Sequence, residues 1–323
     1  MQLVLLAHGS ISRLDEVAAF VCEIRGGAPV APHIVQAVQK RYEAIGGASP
    51  LVGLVRSLAE RVQLATGHRC CAAMRYSEPR LVEVLRACLS SHHANAYNQP
   101  DARDVIVVPI APYRLEPYAV AVEKALAELR TWCSNPSLAA VEMPASMPIV
   151  RTSPCMSHQP EYIDAWVCNT AACLERLGVR KTSRAVLIVT AHSLPMDQVA
   201  DGAYSLRVMR AVDKLLTGLG ESALPSLVAF QSQGASPQPW LGPSVATALE
   251  RAKRTGAEGV VIVPLGFPID HAETLYDLDI DAKQMAEALG LWFERVPCLN
   301  DSDEMLRIIV ALIKRTLQSS PEA

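Results

Sequence analysis

The sequence is poor in charged residues, which make up 20% of the chain, against roughly 25% in an average soluble domain. Hydrophobic residues make up 50%, so disorder is excluded and elements buried on both sides are favoured. Positive charge is not in surplus, because 30 Lys and Arg face 33 Asp and Glu for a net charge of −3. This balance offers no cationic excess for nucleic-acid phosphates or an anionic membrane, so we expect neither partner.

Long apolar runs are missing as well. A membrane-spanning helix needs about 18 or more uninterrupted apolar residues, whereas the most apolar stretches, VIVVPIAP and VVIVPLGF, contain eight residues each. The opening residues, MQLVLLAHGS, have no positively charged region and too short an apolar core for a secretory signal peptide. We therefore expect a cytoplasmic protein without a transmembrane segment.

The cysteines lack the Cys-x-x-Cys spacing that is typical of zinc and iron–sulfur sites. Their odd number, in a long chain without a signal peptide, indicates reduced thiols. Most of them stand among apolar residues, where a free cysteine packs as a small hydrophobe. The sequence therefore predicts neither an iron–sulfur cluster nor a thiolate metal site. The nine cysteines are Cys22, Cys70, Cys71, Cys88, Cys133, Cys155, Cys168, Cys173 and Cys298.

What the sequence does contain is a regular alternation of short apolar runs and long amphipathic segments. Each run is uniformly apolar, which is typical of parallel strands covered on both faces. Segments such as SEPRLVEVLRACLSS and PSVATALERAKRTGAEG open with Ser and Pro, as helices do. The alternation predicts an α/β fold with parallel sheets flanked by helices. The predicted strands are Leu3–Ala7, Val105–Ile110, Ala185–Thr190, Ser226–Phe230 and Gly259–Pro264.

The length of 323 residues is about twice that of a typical domain, which favours two domains. The Pro-rich stretch Val141–Gln159 interrupts the alternation, and we interpret it as a strand flanked by irregular chain between two similar halves. The predicted domains are an N-terminal α/β domain over residues 1–150 and a C-terminal one over residues 151–323. A final helix over residues 303–318 is predicted to pack back onto the N-terminal half.

Polar residues follow the predicted strands directly. His8, His192 and Gln231 each come after one strand, and the pair Asp270-His271 comes after another. Ligands of open parallel sheets bind outside the carboxyl ends of the strands, so we expect these side chains to converge.

Four acidic residues lie in a row after the last predicted strand. Asp270, Glu273, Asp277 and Asp281 are spaced by three, four and four residues, which on a helix places them along one face. One interpretation is a solvated acidic face. The other is a site for a hydrated divalent cation, because Lys and Arg partners at i,i+4 are nearly absent.

Longer motifs in both halves resemble the ferrochelatase family in order and spacing. They are RYEAIGGASPL and AMRYSEP in the first half, and TAHSLP, QSQGASPQPWLGPS, PLGFPIDHAETLYDLDIDA and RVPCLN in the second. The resemblance implies two Rossmann-like domains of the class II chelatase kind with the active site in the cleft between them. The implied activity is insertion of Fe²⁺ into a porphyrin during haem biosynthesis, with a haem-type product.

The resemblance also bears on cofactors. Fe²⁺ would be a substrate rather than a prosthetic group. Some members hold a [2Fe–2S] cluster, often in a C-terminal extension. No cysteine follows Cys298 here, so we expect no cluster. A monomer, as in bacterial members, is the expected state.

The resemblance implies roles for individual residues. His192 and Glu273 match the catalytic pair, and Asp277 lies on the acidic line leading to it. His8 stands where many bacterial members have a Tyr that can ligate the product iron, so it is either an axial ligand or a loop residue. The implied metal contacts are His192, Glu273, Asp277 and His8, and the implied porphyrin contacts are His8, Arg25, Arg41, Tyr42, Ser49 and Trp240. Alternatives stay open for Arg41 as a helix-surface charge and for Trp240 as a packing residue.

The chemistry fits these residue types. Metal insertion removes two pyrrole N–H protons, and a neutral imidazole can accept a proton or bind Fe²⁺ transiently near neutral pH. A neighbouring carboxylate can orient the imidazole, stabilise its protonated form or hold the metal. Whether His192 or Glu273 is the main proton acceptor is left open by the sequence.

Three hypotheses for the substrate and activity follow. RYEAIGGASPL and APYRLEPY look closer to the coproporphyrin branch, so coproporphyrin III is the predicted substrate, with protoporphyrin IX as the alternative. A sirohydrochlorin-type chelatase for iron or cobalt is the second hypothesis, because LLAHGS resembles the opening of that group. A non-catalytic porphyrin or haem carrier is the third, although carriage needs neither a proton acceptor nor an acidic metal path.

Overall fold

A computed structural model of the protein describes residues 1–90, 104–134, 147–180, 183–234 and 238–319. These residues form two four-stranded parallel sheets covered by helices. The first sheet contains β1 (Gln2–Ala7), β2 (Arg69–Met74), β3 (Asp104–Pro109) and β4 (Ile149–Thr152). The second contains β5 (Ala185–His192), β6 (Ser226–Gln231), β7 (Gly259–Val263) and β8 (Trp292–Arg295).

Helices connect the strands in both halves. The helices of the first half are α1 (Val17–Ile24), α2 (Pro32–Ala44), α3 (Leu51–Thr66), α4 (Leu81–Ser90) and α5 (Glu116–Cys133). The remaining helices are α6 (Pro160–Arg176), α7 (Ala203–Leu219), α8 (Val245–Arg254), α9 (Ala272–Leu275), α10 (Lys283–Ala288) and α11 (Asp303–Gln318). Across the described residues, the helices are all too short or too polar to span a lipid bilayer.

The predicted α/β architecture is confirmed, and all five predicted strands are present to within two residues of their expected ends. Strands β2 and β8 were not predicted. β2 begins with an exposed Arg69 and continues with two cysteines, and β8 is a four-residue edge strand whose residues are only partly buried. β8 does not show the uniformly apolar run of a strand that is covered on both faces, and β2 has none of the Val, Ile and Leu residues that are typical of such a run.

The two sheets have the same topology. Their strand orders are β2-β1-β3-β4 and β6-β5-β7-β8, so β1 and β5 occupy equivalent positions. Both strands are buried along their length, because helices cover both faces of each sheet. Along β1, Leu3 and Leu5 join a core shared by the two halves, while Val4 and Leu6 face a separate outer core.

The shared core joins the halves through helices from both. Helix α11, capped by the Ser302 hydroxyl accepting from the Met305 N–H at 3.2 Å, contacts α3 and β3 of the first half and α6 of the second. The first sheet includes β4, which ends at Thr152, so it extends two residues beyond the predicted boundary at 150.

Helices α1 and α2 form a small apolar cluster of their own, which reaches the second half through Ala272.

Candidate active site

A cleft of about 650 Å³ lies where the carboxyl ends of the two sheets face each other. His8 follows β1 and Tyr76 lies beyond β2 on one side, and His192 ends β5 on the other. The lining is otherwise largely apolar and includes Ile24, Leu51, Ile110, Leu194, Phe267, Ile269 and Trp240. A broad apolar slot with a few convergent polar groups is typical of a small-molecule site.

His192 and Glu273 form the polar centre of the second half of the cleft. Nε2 of His192 lies 3.4 Å from Oε2 of Glu273, and each side chain is about one-third exposed, at 36% and 33%. Nδ1 of His192 lies against the Ser193 carbonyl oxygen, which only accepts hydrogen bonds, so Nδ1 carries a proton. Nε2 is therefore the nitrogen that gains or loses a proton while facing the carboxylate.

Each member of this pair shifts the pKa of the other. Burial by itself would lower the pKa of His192, but the Glu273 carboxylate outweighs it and the pKa of His192 is raised. Burial by itself would raise the pKa of Glu273, but the imidazoles of His192 and His271 hold it well below its usual range. Glu273 is therefore ionised next to His192 and stabilises the protonated form of its imidazole once Nε2 has accepted a proton.

A second imidazole approaches the same carboxylate oxygen. Nε2 of His271 lies 3.5 Å from Oε2 of Glu273, and the His271 ring packs against Phe267 with centroids 5.4 Å apart. The sequence placed His271 at the end of a strand without giving it a role. Its position two residues before Glu273, in the residue just before α9, was the available signal.

Residues at the end of β6 donate hydrogen bonds to the segment that contains Glu273 and Asp277. Gln231 is the register partner of His192, and its Nε2 donates to the backbone carbonyl of Glu273 at 2.9 Å. The Ser232 hydroxyl donates to Oδ2 of Asp277 at 2.6 Å. Strands β5 and β6 therefore determine jointly where the acidic residues lie.

Asp277 is neutralised from the first half of the protein. Nη1 of Arg41 lies 3.4 Å from its Oδ1, and the Arg41 guanidinium also lies over the Tyr276 ring at 5.4 Å. Burial and the neighbouring Glu273 raise the pKa of Asp277 to about 6, despite the opposing effects of Ser232 and Arg41. Asp277 and Asp281 also line a side pocket of about 200 Å³ that adjoins the cleft at Ser232.

The prediction that four carboxylates share one helix face is wrong for Asp270. The segment is not one regular helix, because α9 has four residues and a π-helical turn over Asp277–Ala282 follows it. Asp270 precedes the helix and pairs with Nη1 of Arg295 at 3.1 Å, with further hydrogen bonds from Asn300 and Thr274. Its cation comes from β8, which helix spacing alone could not reveal.

His8 follows β1 as His192 ends β5, but it lies in a different electrostatic environment. Its ring contacts Tyr76 edge-on at 4.9 Å between centroids, and it lines the cleft. Burial lowers the pKa of His8 to about 3, with Arg75 adding to the effect and Glu273 opposing it. His8 is therefore a neutral imidazole near pH 7, the form that binds metals.

Two arginines of the lining were missed at the level of sequence. The Arg75 guanidinium lies between the rings of Tyr76 and Tyr118, at 4.6 and 4.8 Å from their centroids. Arg114 donates to the Gln198 side chain at 2.9 Å. Neither makes an ion pair with a carboxylate in the described part of the chain. Arg75 follows β2, and its position at a strand end was hidden because β2 was not predicted.

The predicted porphyrin contacts are spread over different environments. Trp240 lines the cleft, and exposed Arg25 adjoins Ile24 of the lining. Tyr42 and Ser49 are buried outside the lining: the Tyr42 hydroxyl is 2.9 Å from that of Ser10, and the Ser49 hydroxyl accepts from the Leu51 N–H at 3.3 Å. Their contact with a macrocycle stays a prediction. Of the motif around Trp240, residues 235–237 lie outside the described residues.

The candidate metal contacts are not gathered into a closed site. Over the described ranges, no three His, Cys, Asp or Glu side chains come close enough together to hold a metal ion. His192 and Glu273 lie together, whereas His8 approaches from the other half and Asp277 lies beside Arg41. Such a sparse set suits an ion that is bound briefly and passed on.

Known proteins resemble this chain over nearly its whole length. The sequence profile of the family described as Ferrochelatase matches residues 2–317. The coproporphyrin III ferrochelatase of Anoxybacillus flavithermus is 26% identical over 100% of this chain and 98% of its own length. The ferrochelatase of Herpetosiphon aurantiacus is 28% identical, with 96% of each chain covered.

Two solved structures share the fold. SirB from Bacillus subtilis, determined with Fe³⁺, has a TM-score of 0.55 at 11% identity, covering 98% of this chain and 94% of SirB. CbiX, described as the terminal enzyme for biosynthesis of siroheme in denitrifying bacteria, has a TM-score of 0.53 at 16% identity, covering 98% and 99%. At these identities the likeness concerns the fold alone, and it confirms the predicted class II chelatase-like architecture.

Proposed function

The chain belongs to the ferrochelatase family of metal-inserting enzymes, and from this premise we propose that it inserts Fe²⁺ into coproporphyrin III with release of two protons. The observation that carries the proposal is the His192–Glu273 pair, with Nε2 and Oε2 3.4 Å apart at one wall of an apolar cleft. An apolar slot accommodates the macrocycle, and the pair supplies a proton acceptor next to it.

In this proposal His192 accepts the pyrrole protons through Nε2. The Glu273 carboxylate stabilises the imidazolium that results, just as it raises the pKa of His192 before substrate binds. Because His271 faces the same oxygen at 3.5 Å, the carboxylate can pass a proton from one imidazole to the other. Each turnover exchanges two N–H protons for one Fe²⁺, so charge balances.

His8 takes the opposite side of the macrocycle in this proposal. It projects from the first half of the cleft, while His192 and Glu273 project from the second. A flat ring lying between the halves therefore has a neutral imidazole on one face and a proton-accepting pair on the other. A neutral imidazole is a good axial ligand to iron, so we assign His8 to the product iron.

Positive charge without a carboxylate partner supports the choice of porphyrin. Arg75 and Arg114 line the cleft and have no ion pair among the described residues. Guanidinium groups form strong charge-assisted hydrogen bonds with carboxylates. Coproporphyrin III offers four propionates and protoporphyrin IX two, so coproporphyrin supplies more carboxylate partners for the two arginines of the lining.

The test is anaerobic metallation of coproporphyrin III, protoporphyrin IX and sirohydrochlorin with Fe²⁺, followed by the change in porphyrin absorption. We expect coproporphyrin to react fastest. Much faster reaction of protoporphyrin would overturn the substrate assignment, and reaction of sirohydrochlorin alone would identify the other kind of chelatase. Binding of all three without metallation would identify a carrier.

Two histidine variants complete the experiment. His192→Ala should bind coproporphyrin but fail to metallate it, whereas His158→Ala, at an exposed histidine outside the cleft, should match the wild type. Wild-type turnover by His192→Ala would contradict the proposed proton acceptor.

A further inference from the structure

We infer that Gln231 is a positioning residue that fixes the separation of His192 and Glu273, an inference that rests on the proposed function. Gln231 touches the backbone on both sides of the pair. Its carbonyl accepts from the N–H of Ser193, the residue after His192, at 2.7 Å. Its side-chain Nε2 donates to the carbonyl of Glu273 at 2.9 Å. One residue thus bridges the two segments that carry the reacting groups.

The bridge is built on sheet register. His192 and Gln231 are the last residues of adjacent parallel strands and are paired with each other. Gln231 is buried, with 4% of its surface exposed, so its side chain has little freedom to leave this position. Any displacement of Gln231 is therefore transmitted to both segments.

The segment carrying Glu273 needs such an external support. Glu273 lies in the first turn of α9, at the end of a helical stretch that a π-helical turn interrupts, and helix ends are held less firmly than helix interiors. On the side of His192 the backbone is also held, since the Tyr204 hydroxyl donates to the His192 carbonyl at 2.7 Å. Gln231 links this fixed backbone at His192 to the backbone at Glu273 through its two hydrogen bonds.

The residue after Gln231 also helps to position the acidic segment. Ser232 has a φ of 62°, in the left-handed region that is uncommon for a residue other than glycine. This backbone conformation turns the chain so that the Ser232 hydroxyl reaches Asp277, four residues after Glu273. Consecutive residues of one strand end therefore hold successive turns of the acidic segment. Local strain of this kind is typical of functional sites.

The chain provides a matched control in Gln2. It is also a buried glutamine, 5% exposed, whose Nε2 donates to a backbone carbonyl, that of Cys88, at 3.0 Å. It lies at the opposite end of β1 from the cleft. Gln2→Met therefore removes a comparable hydrogen bond without touching the site.

The experiment compares Gln231→Met and Gln231→Asn with Gln2→Met in the anaerobic coproporphyrin assay. Misplacement of a reacting group by about 1 Å costs about 10²-fold in rate, so we expect kcat to fall about 10- to 100-fold in both Gln231 variants. KM for the porphyrin should stay within about twofold, because Gln231 does not line the cleft. Gln2→Met should retain the kcat of the wild type.

A second readout does not depend on turnover. Loss of the bridge moves Glu273 away from His192, so the pKa of His192, followed by NMR, should fall in both Gln231 variants and stay constant in Gln2→Met. Wild-type kcat and an unchanged pKa of His192 in Gln231→Asn would overturn the inference, as would an equal loss in Gln2→Met. A wild type that metallates no porphyrin would instead overturn the proposed function, and the NMR comparison would still decide on Gln231.

Discussion

His8 and His192 occupy equivalent places in the two halves of the molecule, yet their environments push them in opposite directions. Each lies at the carboxyl end of the strand that is second in its sheet, β1 or β5. Burial lowers the pKa of His8 to about 3, with Arg75 adding to it. Burial acts on His192 as well, but the Glu273 carboxylate at 3.4 Å outweighs it and raises the pKa.

The comparison shows that topology places an imidazole at the cleft, while its neighbours decide what it can do. A histidine beside a carboxylate can take up a proton and have its charge stabilised. A histidine that is buried without a carboxylate in hydrogen-bond contact stays neutral and keeps its lone pair for a metal. In the proposed function, the same fold position thus supplies an acid–base group in one half and an iron ligand in the other.

Removing each imidazole in turn should give the largest difference in kcat between the two histidine positions. A general base contributes about 10²- to 10⁴-fold, so His192→Ala should lower kcat for coproporphyrin about 10³-fold. His8→Ala should lower it less than about tenfold and should change the absorption spectrum of the bound product. The measurement is anaerobic metallation under saturating porphyrin. Equal losses in the two variants would contradict the division of roles.

Two acidic residues that lie three positions apart, Asp270 and Glu273, also differ in their neighbours. Asp270 is paired with Arg295, and burial, which would raise its pKa, is outweighed by that cation and its hydrogen bonds, so the pKa is lowered. Removing one partner of a buried pair costs about 3 kcal/mol, so Asp270→Asn should lower the free energy of unfolding by about that amount at pH 7.

The pH dependence of this loss follows from the sign of the shift. A carboxyl whose pKa is lower in the folded state stabilises the fold above its unfolded pKa of about 3.9, and this contribution is lost as the pH falls through the folded pKa. The difference in free energy of unfolding between wild type and Asp270→Asn, measured with urea, should therefore become smaller below about pH 4. Asp164→Asn, at an exposed position, should change stability by less than about 0.5 kcal/mol. A gap that widens in acid would contradict the pairing.

Glu273→Gln should shift the acidic limb of the pH profile rather than the stability. Proton acceptance needs neutral His192, so kcat/KM rises as the pH exceeds its pKa, which Glu273 raises. Without the carboxylate the limb should move to lower pH by about 1 unit or more. His8→Asn should leave the limb in place, because a group with a pKa of about 3 does not titrate there. If the acidic limb moved to higher pH in Glu273→Gln, Glu273 would not be the group that raises the pKa of His192.

Arg75→Met should have the smallest effect, confined to His8. Losing this cation should raise the pKa of His8, but only modestly, because burial is the larger cause of its low value. An NMR titration of the His8 imidazole measures the change, and Arg114→Met serves as the control. A pKa that falls in Arg75→Met would show that the guanidinium does not act on His8.

Much of this fold is predictable because buried parallel strands are uniformly apolar. β1 and β5 are covered on both faces, and their sequences, QLVLLA and AVLIVTAH, show it. β8 lies at a sheet edge and is partly exposed, so WFER has no such pattern. A position directly after a strand likewise marks His8 and His192 as candidates in the amino-acid sequence itself.

The electrostatics of the site are less predictable, because they depend on residues far apart in sequence. Arg295 is 25 positions from Asp270, and Arg41 is 236 from Asp277. The acidic row therefore looks unpaired along the sequence although two of its members have cations in space. The role of Gln231 is equally hidden, since it depends on strand register and on a bond across 42 residues.

The division of roles between His8 and His192 is tested most directly by an NMR titration of both imidazoles in one sample of the wild-type protein with labelled histidine. We expect His192 to titrate above the ordinary pKa of 6.5, and His8 to stay neutral down to about pH 4. Titration of both at the same pH, or of His8 above His192, would contradict this division of roles.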